Sequence, residues 1–253
     1  MGKYNSSTYR VEPLVKHIAG DLDRINSLLS LFNISVSSLP TEYRYGNDEK
    51  LLKPTKKHLM KIAEYVGTIK TQFPKNKNKD RDILYYGTRE EKAKKTKEAI
   101  NLIEDHYSEI QPSSRNWYIF EGYTHPDLFI EGDDYILIGE GKWTESHITT
   151  TTTNLSGDNE YRNQMIRHIQ AALNYSNKKI YAFYLVDSEC CYLSDLAIDA
   201  FAKQLECETI KIDLDEKKKI LDCYVGYVTW QDIEKQLEGL KFRTKEEIDK
   251  AYK

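Results

Sequence analysis

Asp127, Glu140 and Lys142 are the residues whose types and spacing are best suited to catalysis in this chain. Two short apolar runs, separated by a polar turn at 132–134, predict a β-hairpin around them. If the chain reverses at that turn, Asp127 lies opposite Gly139 and therefore beside Glu140. Because alternate residues of a strand point to one face, Glu140 and Lys142 project together. The sequence thus predicts two carboxylates and an amine at one end of a hairpin.

These three side chains are typical of metal-assisted phosphodiester hydrolysis. Two neighbouring carboxylates repel each other, and a hard divalent cation relieves that repulsion. Oxygen ligands with room for water favour Mg²⁺ over zinc, and Mn²⁺ is expected to substitute for it. Lys142 would orient the attacking water or neutralise developing charge. Gly139 and Gly141 lack side chains, which is expected to let a backbone phosphate come close to Glu140.

The motif Pro126-Asp127 followed by Glu140-Gly141-Lys142 resembles that of the PD-(D/E)xK nuclease superfamily, which includes restriction, repair, recombination and defence nucleases. The resemblance implies that Asp127 and Glu140 bind the metal and that Lys142 assists the attacking water. It also implies a core of one helix, three strands, a helix and a strand, an order that fits residues 88–187. The implied fold class is α/β: a restriction-endonuclease-like core with a mixed sheet flanked by helices and a helical N-terminal extension.

A helix predicted at about 160–176 carries three polar residues that bear on the site. Superfamily members often place a Gln on this helix, so the resemblance implies that Gln164 contacts the lysine or a phosphate. A polar strip at the edge of the buried face explains Gln164 equally well. His168 is interpreted as a boundary residue that makes an ordinary hydrogen bond. Arg167 faces further out, either holding phosphate or simply solvated.

Further metal ligands are harder to select from the sequence. The superfamily often takes another acid from its first core helix, which points to Glu104, and Glu121 at the end of a predicted strand is the competitor. Either residue is equally explained as a surface carboxylate. His125 and His147 flank the motif, and both are interpreted as incidental.

The elements that must position these residues follow from hydrophobic periodicity and capping signals. Apolar steps of three and four predict helices at 11–32 and 59–73, and the capping-box spacing of Thr88 and Glu91 predicts another helix after it. Later segments alternate between strand and helix patterns, which predicts a mixed sheet whose first three strands are antiparallel neighbours. The predicted strands are 117–120, 128–130, 135–138, 180–186, 208–213 and 224–230; further helices are 160–176, 194–205 and two at the C-terminal end, the last capped by Thr244 and Glu247.

Charge is divided unevenly along the 253 residues, although the formal net charge is only −3. Residues 1–97 hold 20 Lys and Arg against 11 Asp and Glu, whereas residues 98–253 hold 17 against 29. We therefore expect a basic helical N-terminal region, 1–82, that contacts nucleic acid, and a nuclease-like domain, 83–253, that binds metal. A lysine-rich solvated surface is the alternative. The residues expected to hold phosphate are Lys56, Lys57, Lys75, Lys77, Lys79, Arg81 and Arg167.

Composition and cysteine usage limit the classes of protein to which the chain can belong. With 40% hydrophobic and 30% charged residues, the chain has the composition of a globular protein, without an apolar run that predicts a membrane span. The N-terminus lacks the pattern of a signal peptide, so a cytoplasmic location is expected. The four cysteines have no paired metal-binding spacing and are expected to be reduced thiols.

The leading hypothesis from the sequence is a Mg²⁺-dependent endonuclease that acts on DNA, with RNA as the other candidate substrate. A type II restriction enzyme acting as a homodimer, and a defence or repair nuclease with partner proteins, both fit. A second hypothesis is a nucleic-acid-binding or scaffold protein that keeps the nuclease fold with little turnover. A glycoside hydrolase is disfavoured, because such enzymes need two acids flanking a sugar groove and no adjacent lysine.

Overall fold

The computed structural model describes residues 4–68, 88–112, 122–144, 163–208 and 210–251. Within these residues a five-stranded sheet is combined with helices on both faces, and no described helix has the length and apolar character needed to span a membrane. The strands are β1 (Glu42–Tyr45), β2 (Leu128–Glu131), β3 (Tyr135–Gly141), β4 (Lys179–Val186) and β5 (Tyr224–Thr229). After a π-helical turn, Ser7–Val11, the α-helices are α1 (Glu12–Ile18), α2 (Leu22–Ser30), α3 (Lys56–Thr68), α4 (Arg89–His106), α5 (Gln164–Tyr175), α6 (Ile198–Glu206), α7 (Leu214–Cys223), α8 (Trp230–Gln236) and α9 (Lys245–Ala251).

The sheet is mixed and its strands lie side by side in chain order. Strands β1, β2 and β3 are antiparallel to their neighbours, whereas β4 pairs parallel with β3 and β5 pairs parallel with β4. The two parallel connections pass through helices, as parallel neighbours require. The α/β class with a mixed sheet flanked by helices is therefore confirmed.

The two faces of the sheet bury separate hydrophobic clusters. Alternation along β3 sends Ile136 and Ile138 to one face, where they pack with α5, α6 and α7, and sends Leu137 to the other. On that other face the π-helical turn, α1, α2 and α8 complete the second cluster. Glu140 follows Ile138 on the α5 side by the same alternation. The N-terminal helices thus cover one face of the sheet that carries the predicted site.

The first predicted helix, 11–32, is wrong as a continuous element. Gly20 adopts φ +76°, a left-handed conformation that suits glycine, and the chain turns there between α1 and α2. Asp21 then caps α2, with its carboxylate accepting a hydrogen bond from the backbone N–H of Arg24 at 3.0 Å. Because the apolar residues keep helical spacing on both sides of Gly20, the sequence pattern does not reveal the turn between α1 and α2.

The segment between the first two predicted helices holds strand β1, which is not among the predicted strands. Its four residues, Glu42–Tyr45, are half-buried and pair with β2 at the edge of the sheet. Residues 4–68 and 122–144 therefore contribute strands to one sheet. The predicted boundary near residue 82 lies outside the described residues.

Helix α4 begins at the predicted capping box, in which Thr88 and Glu91 bond to each other's backbone N–H groups. Its buried residues Ala99 and Ile103 pack with Leu59 and Ile62 of α3, and this third cluster is separate from the two that cover the sheet. The expectation that this helix is the first core helix on the sheet is wrong. The predicted strand 117–120 lies outside the described residues.

The predicted strand 208–213 is also wrong, because residues 210–213 form no strand. Ile210 and Ile212 are buried by the packing of a loop, and the Asp213 carboxylate accepts from Glu216 N–H to start α7. The other predicted strands among the described residues are confirmed, with ends that differ by at most one residue except at β3, which continues three residues beyond the predicted end. The cap at Thr244 and Glu247 is confirmed by hydrogen bonds in both directions.

The register of the hairpin differs by one residue from the predicted register. Leu128 pairs with Gly139 and Glu131 with Ile136, because only Asp133 and Asp134 lie between the paired ends Gly132 and Tyr135. Continued by one step, this register places Asp127 across from Glu140 instead of Gly139. Opposite residues of an antiparallel pair share a face, so the shift brings the two carboxylates together more directly than predicted.

Gly139 leaves room for hydrophobic side chains of the core. A Cβ added there would lie 3.1 Å from the Leu128 Cβ, 3.2 Å from Leu185 Cδ1 and 3.3 Å from Phe183 Cε2. The expected role of Gly139 in admitting a phosphate is therefore wrong. Its absent side chain allows β3 to pack tightly against its neighbours.

Replacing Gly139 with Ala is predicted to reduce the free energy of unfolding by about 1–3 kcal/mol, because the added methyl overpacks the core. Urea denaturation monitored by circular dichroism measures the loss. Lys94→Ala on the exposed surface of α4 is the matched control and should change stability by less than about 0.5 kcal/mol. Equal midpoints for Gly139→Ala and wild type would contradict this account of Gly139.

Candidate functional site

Glu140 and Lys142 form a buried ion pair at the end of β3. Their side chains are 4% and 5% exposed, and Lys142 Nζ lies 2.8 Å from Glu140 Oε1. Lys142 is fixed through its backbone as well, since its N–H donates to the Leu185 carbonyl and its own carbonyl accepts from Trp230 Nε1 at 3.0 Å. Buried charges of this kind are stable only when paired, so each holds the other in place.

His168 supplies the second partner of Glu140. Its Nε2 lies 3.0 Å from Glu140 Oε2, and its Nδ1 lies 2.7 Å from the Thr124 hydroxyl oxygen. Burial lowers the pKa of His168 despite the opposing influence of Glu140, so the imidazole is neutral at pH 7. A neutral ring has one donor and one acceptor; Nε2–H therefore donates to the carboxylate and Nδ1 accepts from Thr124. The hydrogen bonding expected of His168 is present, but its interpretation as a boundary residue is wrong, because the side chain is completely buried between Glu140 and Thr124.

Asp127 stands just before β2 and is half-buried. Its Oδ2 accepts a hydrogen bond from Gly141 N–H at 2.9 Å, which ties the carboxylate to the end of β3. The three residues predicted to carry the chemistry are thus brought together at one end of the hairpin. Asp127 is also the most accessible of the three, because Glu140 and Lys142 are almost completely buried.

The two carboxylates have opposite pKa shifts. Burial raises the pKa of Glu140, but Lys142 and His168 outweigh this effect and bring it down to about 2. Burial and then the charge of Glu140 raise the pKa of Asp127 well above its ordinary value, against the weaker influence of Lys142. The surroundings therefore stabilise the ionised form of Glu140 and oppose the ionisation of Asp127. A bound cation would relieve the repulsion between the two carboxylates.

Glu49 and His125 extend the site beyond the residues that sequence reasoning selected. His125 Nδ1 lies 2.9 Å from Glu49 Oε2, and this hydrogen bond raises the pKa of His125. The charge of Glu49 also contributes to the raised pKa of Asp127, so the two carboxylates are electrostatic neighbours. Glu49 lies 78 positions before Asp127 in the sequence, in a connection that carries no motif. The pairing of β1 with β2 and the bridge between Leu52 and Thr124 bring it near.

Gly141 accommodates the carboxylate of Asp127 rather than a phosphate, which corrects the second part of the glycine prediction. A Cβ at this position would lie 2.9 Å from Val11 Cγ2 and 3.3 Å from Asp127 Oδ2. The carbonyl of Gly141 accepts from the Ser6 hydroxyl at 2.9 Å. The N-terminal turn thus packs directly against the strand that carries Glu140.

The helix that follows the site, α5, begins with the predicted polar residues. Gln164 Oε1 lies 3.4 Å from Lys142 Nζ, a long contact that agrees with the predicted lysine-contacting role. Arg167 is buried, and its Nη2 is 3.4 Å from the Gly122 carbonyl. The prediction that Arg167 faces outward is wrong, since the helix turns it towards the segment before Asp127.

Glu104, Lys56 and Lys57 make their described contacts among α3, α4 and the start of α7. Glu104 is exposed on α4, and its backbone carbonyl accepts a hydrogen bond from Lys56. Lys57 is paired with Asp213. The remaining predicted residues lie outside the described residues: Glu121, Lys75, Lys77, Lys79, Arg81 and His147.

The part of the chain that the structure describes contains no group of three or more His, Cys, Asp and Glu side chains arranged to hold a metal ion. Two carboxylates are nevertheless a sufficient protein contribution for Mg²⁺, which keeps several waters and takes other ligands from substrate phosphates. Comparisons of the chain with protein-family models, curated proteins and solved structures give no significant match.

The pKa shift of Asp127 predicts a pH-dependent gain of stability in Asp127→Asn. Because the native pKa is raised, ionisation of Asp127 costs native stability as pH rises above about 3.8, the ordinary value. The Asn variant avoids this cost and keeps an oxygen for Gly141 N–H. In chelator-treated protein, the variant should therefore be more stable than wild type at pH 7 and no more stable at pH 3. Urea midpoints at the two pH values measure this; a less stable variant at pH 7 would contradict the assigned shift.

His168→Ala is predicted to destabilise the protein by about 1–3 kcal/mol, because it leaves a buried oxygen of Glu140 without its donor. His106→Ala, at an exposed position of α4, is the matched control and should have little effect. Thermal or urea unfolding at pH 7 compares the two variants. If they lose the same stability, His168 does not hold Glu140.

Proposed function

We propose that this protein is a metal-dependent nuclease that hydrolyses phosphodiester bonds, with DNA as its substrate. The observation that carries the proposal is the arrangement of Asp127, Glu140 and Lys142 at one end of the β2–β3 hairpin. Glu140 is held ionised between Lys142 and His168, and Asp127 remains accessible beside it. Such an arrangement of opposed charges and perturbed pKa values is typical of catalytic sites.

The order of elements supports the same proposal. The resemblance to PD-(D/E)xK nucleases implies one helix, three strands, a helix and a strand. The described chain follows this order through its N-terminal helices, β1, β2, β3, α5 and β4, with α3 and α4 inserted between β1 and β2. The three strands are antiparallel and β4 joins β3 in parallel through α5. The sequence pattern predicted this order of elements for residues 88–187, but the elements named here begin much earlier in the chain, with the N-terminal helices.

Asp127 and Glu140 are the residues that would hold Mg²⁺, or Mn²⁺ in its place. Their donor atoms are carboxylate oxygens, which hard divalent cations prefer, and the raised pKa of Asp127 marks a place where added positive charge is favoured. When bound, the cation would hold a phosphodiester oxygen and lower the pKa of a coordinated water.

The roles of the protein groups follow from their contacts. Lys142 presents an ammonium group whose position is fixed by Glu140 and Gln164, and it stabilises the charge that develops on the phosphate oxygens. His168 donates to Glu140 and keeps its carboxylate in one orientation. Thr124 donates to the other ring nitrogen and fixes the tautomer that makes this possible.

Substitution at the site is predicted to abolish cleavage. Lys142→Ala, Glu140→Gln and Asp127→Asn should each reduce metal-dependent cleavage by about 100-fold or more, the size of effect expected when a preorganised charge is removed from such a site. The assay incubates plasmid, linear duplex, single-stranded DNA and RNA with Mg²⁺ or Mn²⁺, and with chelator as the blank. Glu104→Gln, an exposed carboxylate on α4, is the matched control and should cleave like wild type.

Two results would contradict the proposal. One is the absence of metal-dependent cleavage of every substrate by wild type that folds normally. The other is equal cleavage by wild type and the three site variants, which would identify a contaminating nuclease. The product pattern then assigns the type of nuclease, because discrete plasmid fragments indicate a sequence-specific enzyme and a smear indicates a nonspecific one.

A further inference from the structure

A cavity of about 530 Å³ opens at the carboxyl ends of the parallel strands β3, β4 and β5. Trp143 and Thr144 follow β3, Asp187 follows β4, and Trp230 follows β5; each contributes to its wall. The crevice outside the carboxyl ends of parallel strands is the usual ligand-binding position in open α/β sheets. The volume is that of a small-molecule site, so it holds one compact group and not a duplex.

One side of the cavity is aromatic and carries a fixed positive charge. The Trp230 and Phe242 rings meet edge to face at 5.4 Å, and the Arg10 guanidinium lies 3.7 Å above the Trp143 ring. Arg10 Nη1 is held by the backbone carbonyls of Tyr9 and Arg243 at 3.0 and 2.9 Å. Burial lowers the pKa of Arg10 to about 10, which leaves it protonated at pH 7. Arg10 Nε is buried and makes no hydrogen bond to a described residue.

The mouth of the cavity carries charges of both signs. Lys245 and Arg243 are exposed cations, and Glu189 and Glu246 are exposed carboxylates. A matching ligand has an anionic group for the cations, N–H donors for the carboxylates and a flat apolar body for the rings. A nucleotide has all three, in its phosphate, the exocyclic amine or ring N–H of its base, and the base plane.

The cavity and the proposed catalytic residues meet at the end of β3. Trp143 follows Lys142 directly, and Trp230 donates to the Lys142 carbonyl. A Cβ on Gly141 would lie 3.3 Å from Asp127 Oδ2 and 3.5 Å from Trp230 Cζ2, so the Asp127 carboxylate and the cavity wall flank the same point. A nucleic-acid strand crossing this end of the sheet can therefore place a phosphate at Asp127 and an adjacent base in the cavity.

We infer that this cavity binds a single unpaired nucleotide of the substrate strand. The inference rests on the proposed function and specifies its substrate class: nucleic acid that is single-stranded, or whose target base is extruded from the duplex. The rings stack on or border the base, the carboxylates accept its N–H groups, and Lys245 and Arg243 hold its phosphate.

Binding is tested without metal and without cleavage. The four deoxynucleoside 5′-monophosphates are titrated into chelator-treated wild type, with deoxyribose 5-phosphate and inorganic phosphate as probes that lack the base. Intrinsic tryptophan fluorescence reports occupancy, because two of the three tryptophans line the cavity. At least one nucleotide should bind about tenfold more tightly than deoxyribose 5-phosphate, as expected for base stacking. Lys245→Gln should weaken nucleotide binding severalfold, and Lys235→Gln, an exposed position on α8 outside the cavity, should not.

Cysteine alkylation gives an independent measurement. Cys191 is exposed and lines the cavity, whereas Cys207 is exposed and lies outside its lining. The bound nucleotide should slow alkylation of Cys191 several-fold and leave Cys207 unchanged, which mass spectrometry of the labelled peptides measures. Equal labelling of Cys191 with and without millimolar nucleotide, together with no fluorescence change, would overturn the inference. So would equal affinity for deoxyribose 5-phosphate, which would make the cavity an anion site.

The two proposals fail separately in these experiments. Metal-dependent cleavage of DNA without nucleotide binding would overturn the cavity assignment and leave the nuclease proposal standing. Nucleotide binding without cleavage of any substrate would overturn the nuclease proposal and leave the cavity as a nucleotide-binding site.

Discussion

The burial of the Glu140 carboxylate at the end of β3 is the constraint on which the rest of the site depends. A carboxylate there is tolerated only because Lys142 and His168 each occupy one of its oxygens, at 2.8 and 3.0 Å. Both partners are themselves buried and need support, which Gln164 and Thr124 provide from the start of α5 and from the segment before Asp127. The buried charge of Glu140 thus requires polar partners around it, and those partners require further hydrogen bonds of their own.

The ionised state of Glu140 also explains why the pKa of Asp127 is shifted in the opposite direction. Asp127 faces an ionised Glu140 across the hairpin and has Glu49 as a second anionic neighbour, so its own ionisation is opposed. Its hydrogen bond from Gly141 N–H keeps it in place without neutralising the pair. The native state therefore retains electrostatic strain at the point where a cation and a phosphate are proposed to bind, as is common at functional sites.

The sequence predicted the components of the site better than their surroundings. The hairpin and α5 have strong local signals, so the pattern of residues was enough to place Asp127, Glu140 and Lys142 together. The hairpin register was wrong by one residue because a two-residue and a three-residue turn use the same polar residues. Strand β1 and Glu49 were missed because the alternation of Tyr43 and Tyr45 with charged residues extends over only four positions, and the pairing of β1 with β2 depends on contacts distant in sequence. His168 was undervalued because its buried partners lie on other elements.

Mg²⁺ bound by Asp127 and Glu140 together, as we propose, would stabilise the native protein, and a melting experiment measures that effect. Melting temperatures are measured at pH 7 with chelator and with about 10 mM Mg²⁺ for wild type, Asp127→Asn and the exposed control Glu104→Gln. Mg²⁺ should raise the melting temperature of wild type and Glu104→Gln and have no effect on that of Asp127→Asn. An equal effect of Mg²⁺ on all three proteins, or no effect on wild type, would contradict the proposed binding.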